Sequence, residues 1–250
     1  MTQATFKDHF SALAATYAQA RPGYPQALFD WIAAQAPGRE LAWEPACGSG
    51  QATRGLATRF GAVHASDASA EQVAQAQAPA NVRFVVEPAE RCSLGDASAD
   101  VACVAQALHW FDIPAFFVEC ARVLRPRGLL VAWTYDDLRV DDALEPAVDA
   151  FRSEIRSWWP PERELVGAGY ARFDWPFEPV AVPRFTLEAD WPLARLLGYF
   201  SSYSATRRCR EATGSDPVAS HAGSIAAAWG DPDATRRLRW PLSVHARRKP

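Results

Sequence analysis

A glycine-rich turn between two acidic side chains is the part of this sequence best suited to hold a ligand. Gly48 and Gly50 follow a short stretch that ends near Glu44, and Asp67 comes about 20 residues after the turn. Glycines let backbone amides approach a bound group, and the helix that follows offers its positive N-terminus to an anion. Glu44 would be costly to bury without a cation, which a bound ammonium group would supply. Asp67 ends a predicted strand, from which a carboxylate can accept hydrogen bonds from both hydroxyls of a ribose.

Two other nucleotide-binding turns contain similar glycines and match the sequence less well. A dinucleotide fingerprint requires a third glycine where Thr53 stands, and a P-loop requires a lysine followed by serine or threonine. The alternative for the glycines alone is an ordinary tight turn. The alternative for Asp67 is a helix N-cap, a role that Ser69 could fill instead. The choice depends on the elements that surround the turn.

Strands and helices alternate from residue 41 onward. Strands are predicted at 41–44, 62–67, 82–86, 100–105 and 129–133, with helices at 69–78 and 114–124 and a turn at 125–128. The fourth strand is almost wholly apolar, as expected for a strand that is covered on both faces. Short connections between such elements imply right-handed crossovers. The sequence therefore predicts an α/β protein with a Rossmann-like, doubly wound, mostly parallel sheet.

The rest of the chain predicts helices and a closing strand. A helical N-terminal cover is expected over 1–40, before a cofactor-binding core over 41–136. Residues 137–235 predict a substrate cap and later sheet elements, with helices at 143–159 and 192–210 and one strand within 173–187. Strict alternation over 238–246 predicts a final strand, which 236–250 complete with the tail. We expect the four segments to form one compact domain.

Composition limits the classes of partner. The chain has 250 residues, 49% of them hydrophobic, and a formal net charge of −3, which argues against nucleic acid as the main partner. Its five cysteines show neither zinc spacing nor a disulfide pattern, and no run reaches the roughly 20 apolar residues that cross a bilayer. We expect a soluble, cytoplasmic monomer or homodimer without a metal or a membrane partner. We expect a solvated chain end, with an anion or RNA patch as the alternative, for the late arginines Arg236, Arg237, Arg239, Arg247 and Arg248.

The glycine-rich turn resembles motif I of the class I methyltransferases that use S-adenosylmethionine (SAM), and within them the trans-aconitate methyltransferase-like branch. The matching run is Glu44-Pro45-Ala46-Cys47-Gly48-Ser49-Gly50-Gln51-Ala52-Thr53. The resemblance extends to Tyr17 and to residues 21–25, 67–69, 88–90, 105–111, 122–128 and 240–242. Ala46 stands where many members have the first motif glycine, and Glu87-Pro88 replaces a commoner Gly-Asp. The resemblance implies a Rossmann-like fold and SAM as the cofactor.

The resemblance also implies which residues contact SAM. Asp67 would hold the ribose, and the backbone at Ala89 with the side chain of Glu90 would frame the adenine. Gln106 would lie beside the methionine part of the cofactor. Two residues of the N-terminal helix would cover the site. The implied cofactor-binding residues are Tyr17, Arg21, Glu44, Ala46, Gly48, Gly50, Asp67, Ala68, Ala89, Glu90 and Gln106.

Aromatic and basic side chains further along the chain predict where the methyl acceptor binds. His109 and Trp110 follow the fourth strand and would form a wall beside the cofactor's methyl group, with a position in the core as the alternative. Trp133 ends the fifth strand and is equally compatible with core or cleft. Tyr203 and Arg207 lie on a late helix, and an inward arginine there would favour an acidic acceptor. An exposed helix face is the alternative for these two residues.

The predicted function is methyl transfer to a small molecule. A carboxylate is one candidate acceptor because it is already ionised at neutral pH and needs no general base. Opposite charges then disappear together, so a dry site that positions the reactants suits the step. Three alternatives stay open: an NAD(P)-dependent oxidoreductase, which Thr53 disfavours; a protein that binds SAM without catalysis; and a protein or RNA methyltransferase, which the net charge disfavours.

Overall fold

A single sheet forms the centre of the protein, whose computed structural model describes residues 23–77 and 79–250. Its described strands are β1 (Leu41–Pro45), β2 (Ala62–Asp67), β3 (Val82–Val86), β4 (Ala99–Ala105), β5 (Leu124–Thr134), β6 (Glu178–Val180), β7 (Phe185–Trp191) and β8 (Arg236–Arg248). They are ordered β3-β2-β1-β4-β5-β8-β6, and β7 also pairs with β8. Strands β1 to β5 are parallel, whereas β8 is antiparallel to β5, β6 and β7. The predicted α/β class with a mostly parallel sheet is confirmed.

Helices cover both faces of this sheet. The described α-helices are α1 (Gln26–Gln35), α2 (Thr53–Ala57), α3 (Ala70–Gln75), α4 (Ile113–Val123), α5 (Glu145–Ile155), α6 (Arg163–Gly167), α7 (Leu193–Ser201), α8 (Ser204–Thr213) and α9 (Pro217–Trp229). Side chains alternate between faces along a strand, so Val101 of β4 joins the core beneath α1 while Ala102 joins the core beneath α4. Burial on both faces explains why β4 is apolar from Val101 to Ala105.

Strand β5 begins earlier than the sequence predicts. Leu124 already pairs with Ala99 of β4, and the register then shifts before Leu129 pairs with Val101. Arg127 lies between these pairs with a φ angle of +64°. The predicted turn at 125–128 is therefore an irregularity within β5, where the extra residues do not pair with β4.

The second half of the chain has more elements than predicted. The single helix predicted over 192–210 is two helices, α7 and α8, because Tyr203 between them has an extended backbone with ψ of 135°. The hydroxyl of Ser202 donates to the carbonyl of Tyr199 at this break. Helix α9 was not predicted, and the one strand expected within 173–187 is replaced by β6 and β7.

Strand β8 connects the sheet with these later elements. Its last residues pair with β5 from Ser243, opposite Thr134, onward. Its first residues extend past that point and pair with β7, from Arg236 opposite Trp191 to Leu242 opposite Phe185. We call residues 137–235 the cap; its boundaries, and the division of the chain into four segments, stay a prediction.

All five cysteines of the chain are free thiols, and each of them is buried. Burial raises the pKa of Cys103 and Cys120 well above the ordinary thiol value. None of the helices within residues 23–77 and 79–250 is long and apolar enough to cross a membrane.

Candidate functional site

The chain leaves β1 through a turn with several left-handed residues. Ala46, Gly48 and Gly50 have φ angles of +52°, +55° and +84°. The amide of Cys47 donates to the carbonyl of Ser66 on β2 (2.9 Å), which holds the turn against the neighbouring strand. Glycine adopts such angles without strain because it has no Cβ. The turn lies at the carboxyl ends of the parallel strands, where open α/β sheets bind ligands.

Asp67 joins this turn to the end of β2. Its Oδ2 accepts the amide of Gly48 (2.8 Å) and its Oδ1 accepts the amide of Ser69 (2.9 Å). The hydroxyl of Ser69 accepts the amide of Gln72 and caps α3, so the cap is supplied by Ser69. Burial raises the pKa of Asp67, and the two amides oppose that rise. Ala68 beside it is exposed.

Glu44 is a buried carboxyl group directly beneath the turn. Its side chain is 1% exposed, and Thr53 of α2 donates a hydrogen bond of 2.5 Å to Oε2. Burial raises the pKa of Glu44 to about 8, although the hydroxyl of Thr53 opposes the rise; the charge of Asp67 adds to it. Such a group is neutral at pH 7 when alone and becomes ionised when a cation lies beside it.

The segment predicted to frame adenine makes other contacts as well. The backbone of Ala89 is buried, and Oε1 of Glu90 accepts the amide of Asp112, the N-cap of α4 (2.9 Å). Glu87 accepts from Ser93 and lies 3.0 Å from Nε2 of the buried His64. These bonds tie the loop after β3 to α4 and to β2.

Gln106 lies just beyond β4 with its side-chain amide held at both ends. Its Nε2 donates to the carbonyl of Tyr135 (3.1 Å), and its Oε1 accepts from Thr134 (2.5 Å). The φ angle of Gln106 is +56°, and its amide donates to the carbonyl of Trp133. The ends of β4 and β5 are thus joined at the edge where the glycine-rich turn lies.

His109 and Trp110 form a short turn after Gln106. Their ring centroids are 4.6 Å apart, and Nδ1 of His109 lies 2.8 Å from Oη of the fully buried Tyr170. Burial, together with the positive charge of Arg163, lowers the pKa of His109 to about 3. The imidazole is therefore neutral at physiological pH.

Comparison with known proteins assigns this arrangement to a family. Residues 43–132 match the methyltransferase domain model. A solved structure from Anaeromyxobacter dehalogenans, named as a type II methyltransferase, superposes with a TM-score of 0.87 at 42% identity over 91% of this chain and 97% of that one. A Dictyostelium discoideum protein named as a methyltransferase is 31% identical over 208 residues, 81% of this chain and 79% of its own.

The chain belongs to the SAM-dependent methyltransferases. A Saccharomyces cerevisiae protein named as a SAM-dependent methyltransferase is also similar, at 29% identity over 130 residues, 48% of this chain and 45% of that one. The family implies SAM as the cofactor, and the NAD(P)-dependent oxidoreductase alternative is wrong.

A charged cluster of this methyltransferase lies near His109 and Trp110. Arg163 of α6 pairs with Asp136, and its guanidinium lies 3.5 Å from Asp137. The same guanidinium lies over the ring of Trp159, 4.7 Å from its centroid. Helix α6 contacts the short turn that contains His109, and the ring of Trp159 packs in turn on Tyr203, so Arg163 lies between this turn and the cap helices.

Tyr203 lies at the start of α8 on the inner side of the cap. It is 4% exposed, and its ring centroid is 5.3 Å from that of Trp159. Burial raises the pKa of its hydroxyl well above the usual value, and the neighbouring Tyr199 adds to the rise. Tyr170 and Arg163 are the residues that sequence reasoning missed, since neither stands in a motif or at a spacing that indicates a site.

The remaining predicted residues lie elsewhere. Trp133 is fully buried in the core, with its ring centroid 5.5 Å from that of Tyr24, which is the core alternative that the sequence left open. Nε of Arg207 lies 3.8 Å from the carboxylate of Glu211 on the same helix. Tyr17 and Arg21 lie outside the described residues.

A separate groove contains several of the late arginines. It has a volume of about 330 Å³ and is lined by Arg139, Val140, Asp141, Arg236, Arg237 and Arg239. Carboxylates already pair with three of these arginines: Asp141 with Arg236, Asp190 with Arg237, and Glu188 with Arg239. Exposed pairs of this kind are typical of a solvated surface.

Proposed function

We propose that this methyltransferase methylates a small molecule held between the end of β4 and the cap. The observation that carries the proposal is the position of Arg163, whose helix contacts the turn of His109 and whose guanidinium lies over Trp159, which packs on Tyr203 of the cap. Tyr203 is 4% exposed and Tyr170 is fully buried, and enclosed surroundings suit a small acceptor better than a macromolecule.

The proposal also includes the trans-aconitate methyltransferase-like branch and a cytoplasmic location. Buried free thiols support this location, because they are typical of a reducing compartment.

The residues around the glycine-rich turn are suited to hold SAM. Asp67 can bind the ribose hydroxyls, and Glu44 can balance the charge of the amino group. Neutral Glu44 gains a favourable partner when a cation arrives, which explains why a buried acid is placed there. When bound, SAM supplies an electrophilic methyl group on a sulfonium. The chain's own task is to position the acceptor in line and to exclude water.

Arginine placement gives little support to an acidic acceptor. Arg207, which would have favoured an acidic acceptor if it faced inward, lies 3.8 Å from Glu211 on the same helix. Arg163 is paired with two aspartates. A carboxylate acceptor would have to displace these partners, so we do not include it in the proposal.

Calorimetry with SAM and with NAD tests the proposed cofactor site. We expect SAM to bind and NAD not to bind. Asp67→Ala should weaken SAM binding by about 1.5–3 kcal/mol, the scale of hydrogen bonds to a charged group. Ser69→Ala is the matched control, because it removes the cap of α3 but leaves the Asp67 carboxylate in place. An unchanged SAM affinity in folded Asp67→Ala would contradict the assignment of Asp67 to the ribose.

A methylation screen tests the acceptor class. SAM with an isotopically labelled methyl group is incubated with the protein and either a small-molecule library or a mixture of cellular protein and RNA. We expect label in the small-molecule fraction only. Label in protein or RNA would contradict a small-molecule acceptor.

A further inference from the structure

A fully buried tyrosine of the cap contacts the imidazole of His109. Tyr170 follows helix α6 and is 0% exposed. Its hydroxyl oxygen lies 2.8 Å from Nδ1 of His109, within hydrogen-bonding distance, and the two ring centroids are 6.0 Å apart. The ring of His109 also packs on Trp110, with centroids 4.6 Å apart. The orientation of the imidazole is therefore set by two neighbours, a phenol hydroxyl and an indole ring.

The backbone of Tyr170 has a conformation that its residue type disfavours. Its φ angle is +63°, and Gly169 before it has a φ angle of +59°. Left-handed backbone brings a Cβ close to a carbonyl oxygen, so a bulky residue rarely adopts it. Such a conformation persists only where the surrounding structure imposes it. Several contacts impose it on Tyr170.

Two aromatic N–H groups hold the carbonyls on either side of Tyr170. Nε2 of His245 lies 2.7 Å from the carbonyl oxygen of Gly169, and this nitrogen is the donor because a carbonyl can only accept. Nε1 of Trp175 donates to the carbonyl of Tyr170 (3.3 Å). The two aromatic rings stack, with centroids 4.8 Å apart and planes at 17°. We call His245 and Trp175 the clamp.

The turn that the clamp holds is also fixed to the sheet and to α6. A Cβ on Gly169 would lie 2.5 Å from Oγ of Ser243, so only glycine lets the turn approach β8 this closely. Ser243 pairs with Thr134, the last residue of β5. The amide of Tyr170 donates to the carbonyl of Leu165 in α6 (3.0 Å). The Tyr170 hydroxyl is thus held in place by backbone contacts at the carboxyl edge of the sheet.

We propose that Tyr170 is a positioning residue of this methyltransferase, whose hydroxyl holds the His109 imidazole in one orientation beside the methyl acceptor. This inference rests on the proposed function, which places the acceptor between the end of β4 and the cap. An imidazole with one orientation presents one surface, whereas an imidazole that turns lets the acceptor take several poses. Methyl transfer requires the acceptor atom, the methyl carbon and the sulfur in line, so a fixed surface raises the rate. The alternative is a tyrosine that only fills the core.

Carbon NMR of the whole protein tests the orientation of His109 without any acceptor. The chain has only five histidines, so the ring signals of ¹³C-histidine are few, and those of His109 are assigned by their loss in His109→Phe. Spectra are recorded with and without the demethylated product of SAM. We expect one sharp set of His109 ring signals in the wild-type protein, and shifted signals that broaden or split in Tyr170→Phe. Unchanged sharp signals in folded Tyr170→Phe overturn the proposal.

Tyr199→Phe is the matched control for these spectra. Tyr199 is 1% exposed, but its hydroxyl accepts from Nε1 of Trp240 (3.0 Å) and it belongs to the other buried cluster. The His109 signals should be unchanged in this variant, and changes as large as those in Tyr170→Phe overturn the proposal.

A second variant loosens Tyr170 and leaves every buried tyrosine in place. His245→Phe keeps a ring that can stack on Trp175 but removes the N–H that holds the carbonyl of Gly169. It replaces Tyr170→Phe if that variant does not fold. We expect the His109 signals to broaden in His245→Phe, and unchanged signals there then overturn the proposal.

Kinetics with an acceptor found in the methylation screen separate a positioning role from a structural one. Tyr170→Phe should leave SAM affinity unchanged and lower kcat by at least about tenfold, since a displacement of about 1 Å can cost about 10²-fold. The double variant Tyr170→Phe with His109→Phe should be no slower than His109→Phe alone, because Tyr170 acts through His109. A tyrosine that only fills the core would not give this result, and additive losses in kcat/KM overturn the proposal.

The outcomes distinguish this inference from the proposed function. If the screen finds no acceptor, the His109 spectra decide. If SAM does not bind, the proposed function fails, and the spectra of the protein without ligand still decide whether Tyr170 orients His109. If SAM binds and the His109 signals of Tyr170→Phe stay unchanged, only this inference is contradicted.

Discussion

Glu44 illustrates how a single buried acid can make stability depend on pH. Its pKa is about 8 in the folded protein, against 4.5 for the ordinary group, chiefly because of burial. The folded protein therefore holds the proton more tightly than the unfolded chain does. The contribution of this group to stability is fully present below pH 4.5 and decreases as pH rises through about 8.

Glu44→Gln should remove this decrease in stability at rising pH. Without cofactor, the variant should gain stability relative to the wild type as pH rises from 5 to 8, by up to about 1.4 kcal/mol per pH unit. Urea unfolding at pH 5, 6.5 and 8 measures the difference. Exposed Glu178→Gln is the control and should show no such trend. A constant difference between Glu44→Gln and wild type across this range would contradict the raised pKa.

Ala46 should be replaceable by glycine with a gain in stability. Its φ angle is +52°, and left-handed backbone costs roughly 1–2 kcal/mol for a residue with a Cβ. Part of the gain is offset because glycine is more flexible in the unfolded chain, so we expect Ala46→Gly to raise the free energy of unfolding by about 0.5–1 kcal/mol.

Ala97→Gly is the matched control for that measurement. Ala97 has a φ angle of +47° on an exposed loop outside the predicted cofactor site. It should give a similar gain in urea unfolding and leave SAM affinity unchanged. If Ala97→Gly gains stability and Ala46→Gly does not, the conformation of Ala46 is not strained.

The residues of the glycine-rich turn were predictable because their chemistry is encoded locally. Gly48 and Gly50 are required by backbone angles, and Asp67 by its place at the end of the next strand. Tyr170 and Arg163 were not predictable, because they follow irregular chain and reach the site only through tertiary packing. Spacing carries no signal for such contacts.

Arg122 at the end of α4 shows how one side chain can fix an element against its neighbouring loop. It donates to both oxygens of Glu119 (2.8 and 2.6 Å) and to Asp96 (2.8 Å). It also donates to the carbonyls of Leu94 and Cys92. The bonds to Glu119 and Asp96 raise the pKa of the guanidinium. Together, all of these bonds hold the loop that follows the segment predicted to frame adenine.

Arg122→Lys should therefore destabilise the protein. An ammonium group cannot reproduce the planar, forked arrangement of donors, and we expect a loss of about 1.5–3 kcal/mol in urea unfolding. Arg59→Lys is the control, because Arg59 pairs with the exposed Asp30 and such pairs contribute about 0–1 kcal/mol. Equal losses in the two variants would show that the forked geometry is unimportant.

The parallel half of the sheet was predictable at the level of elements, and the cap was only partly so. Strands covered on both faces have continuous apolar runs, as β4 does. The ends of helix α9 are marked in the sequence, because Asp216 caps its N-terminus, Pro217 begins it and Gly230 follows its last residue. Taken together, these residues would have predicted the helix. The break between α7 and α8 depends on side-chain hydrogen bonds to backbone carbonyls, which periodicity does not report.

At the scale of the whole molecule, one core joins the sheet to the cap. Phe151 of α5 stacks on Phe200 of α7 with centroids 4.5 Å apart. Trp240 of β8 donates through Nε1 to the hydroxyl of Tyr199 (3.0 Å). These side chains belong to the same buried cluster as Val131 of the central strand β5.

We predict from this continuity that cap and sheet unfold together. Phe151→Ala should cost about 3–5 kcal/mol and still give one transition, with coincident midpoints for backbone signals and for aromatic signals. Phe116→Ala, on the opposite face of the sheet and also fully buried, is the matched control and should behave in the same way. If Phe151→Ala instead splits unfolding into two steps, with the backbone signal retained after the aromatic signal is lost, the cap is an independent unit. In that case added SAM should shift only the later step, because the ligand stabilises only the unit that binds it.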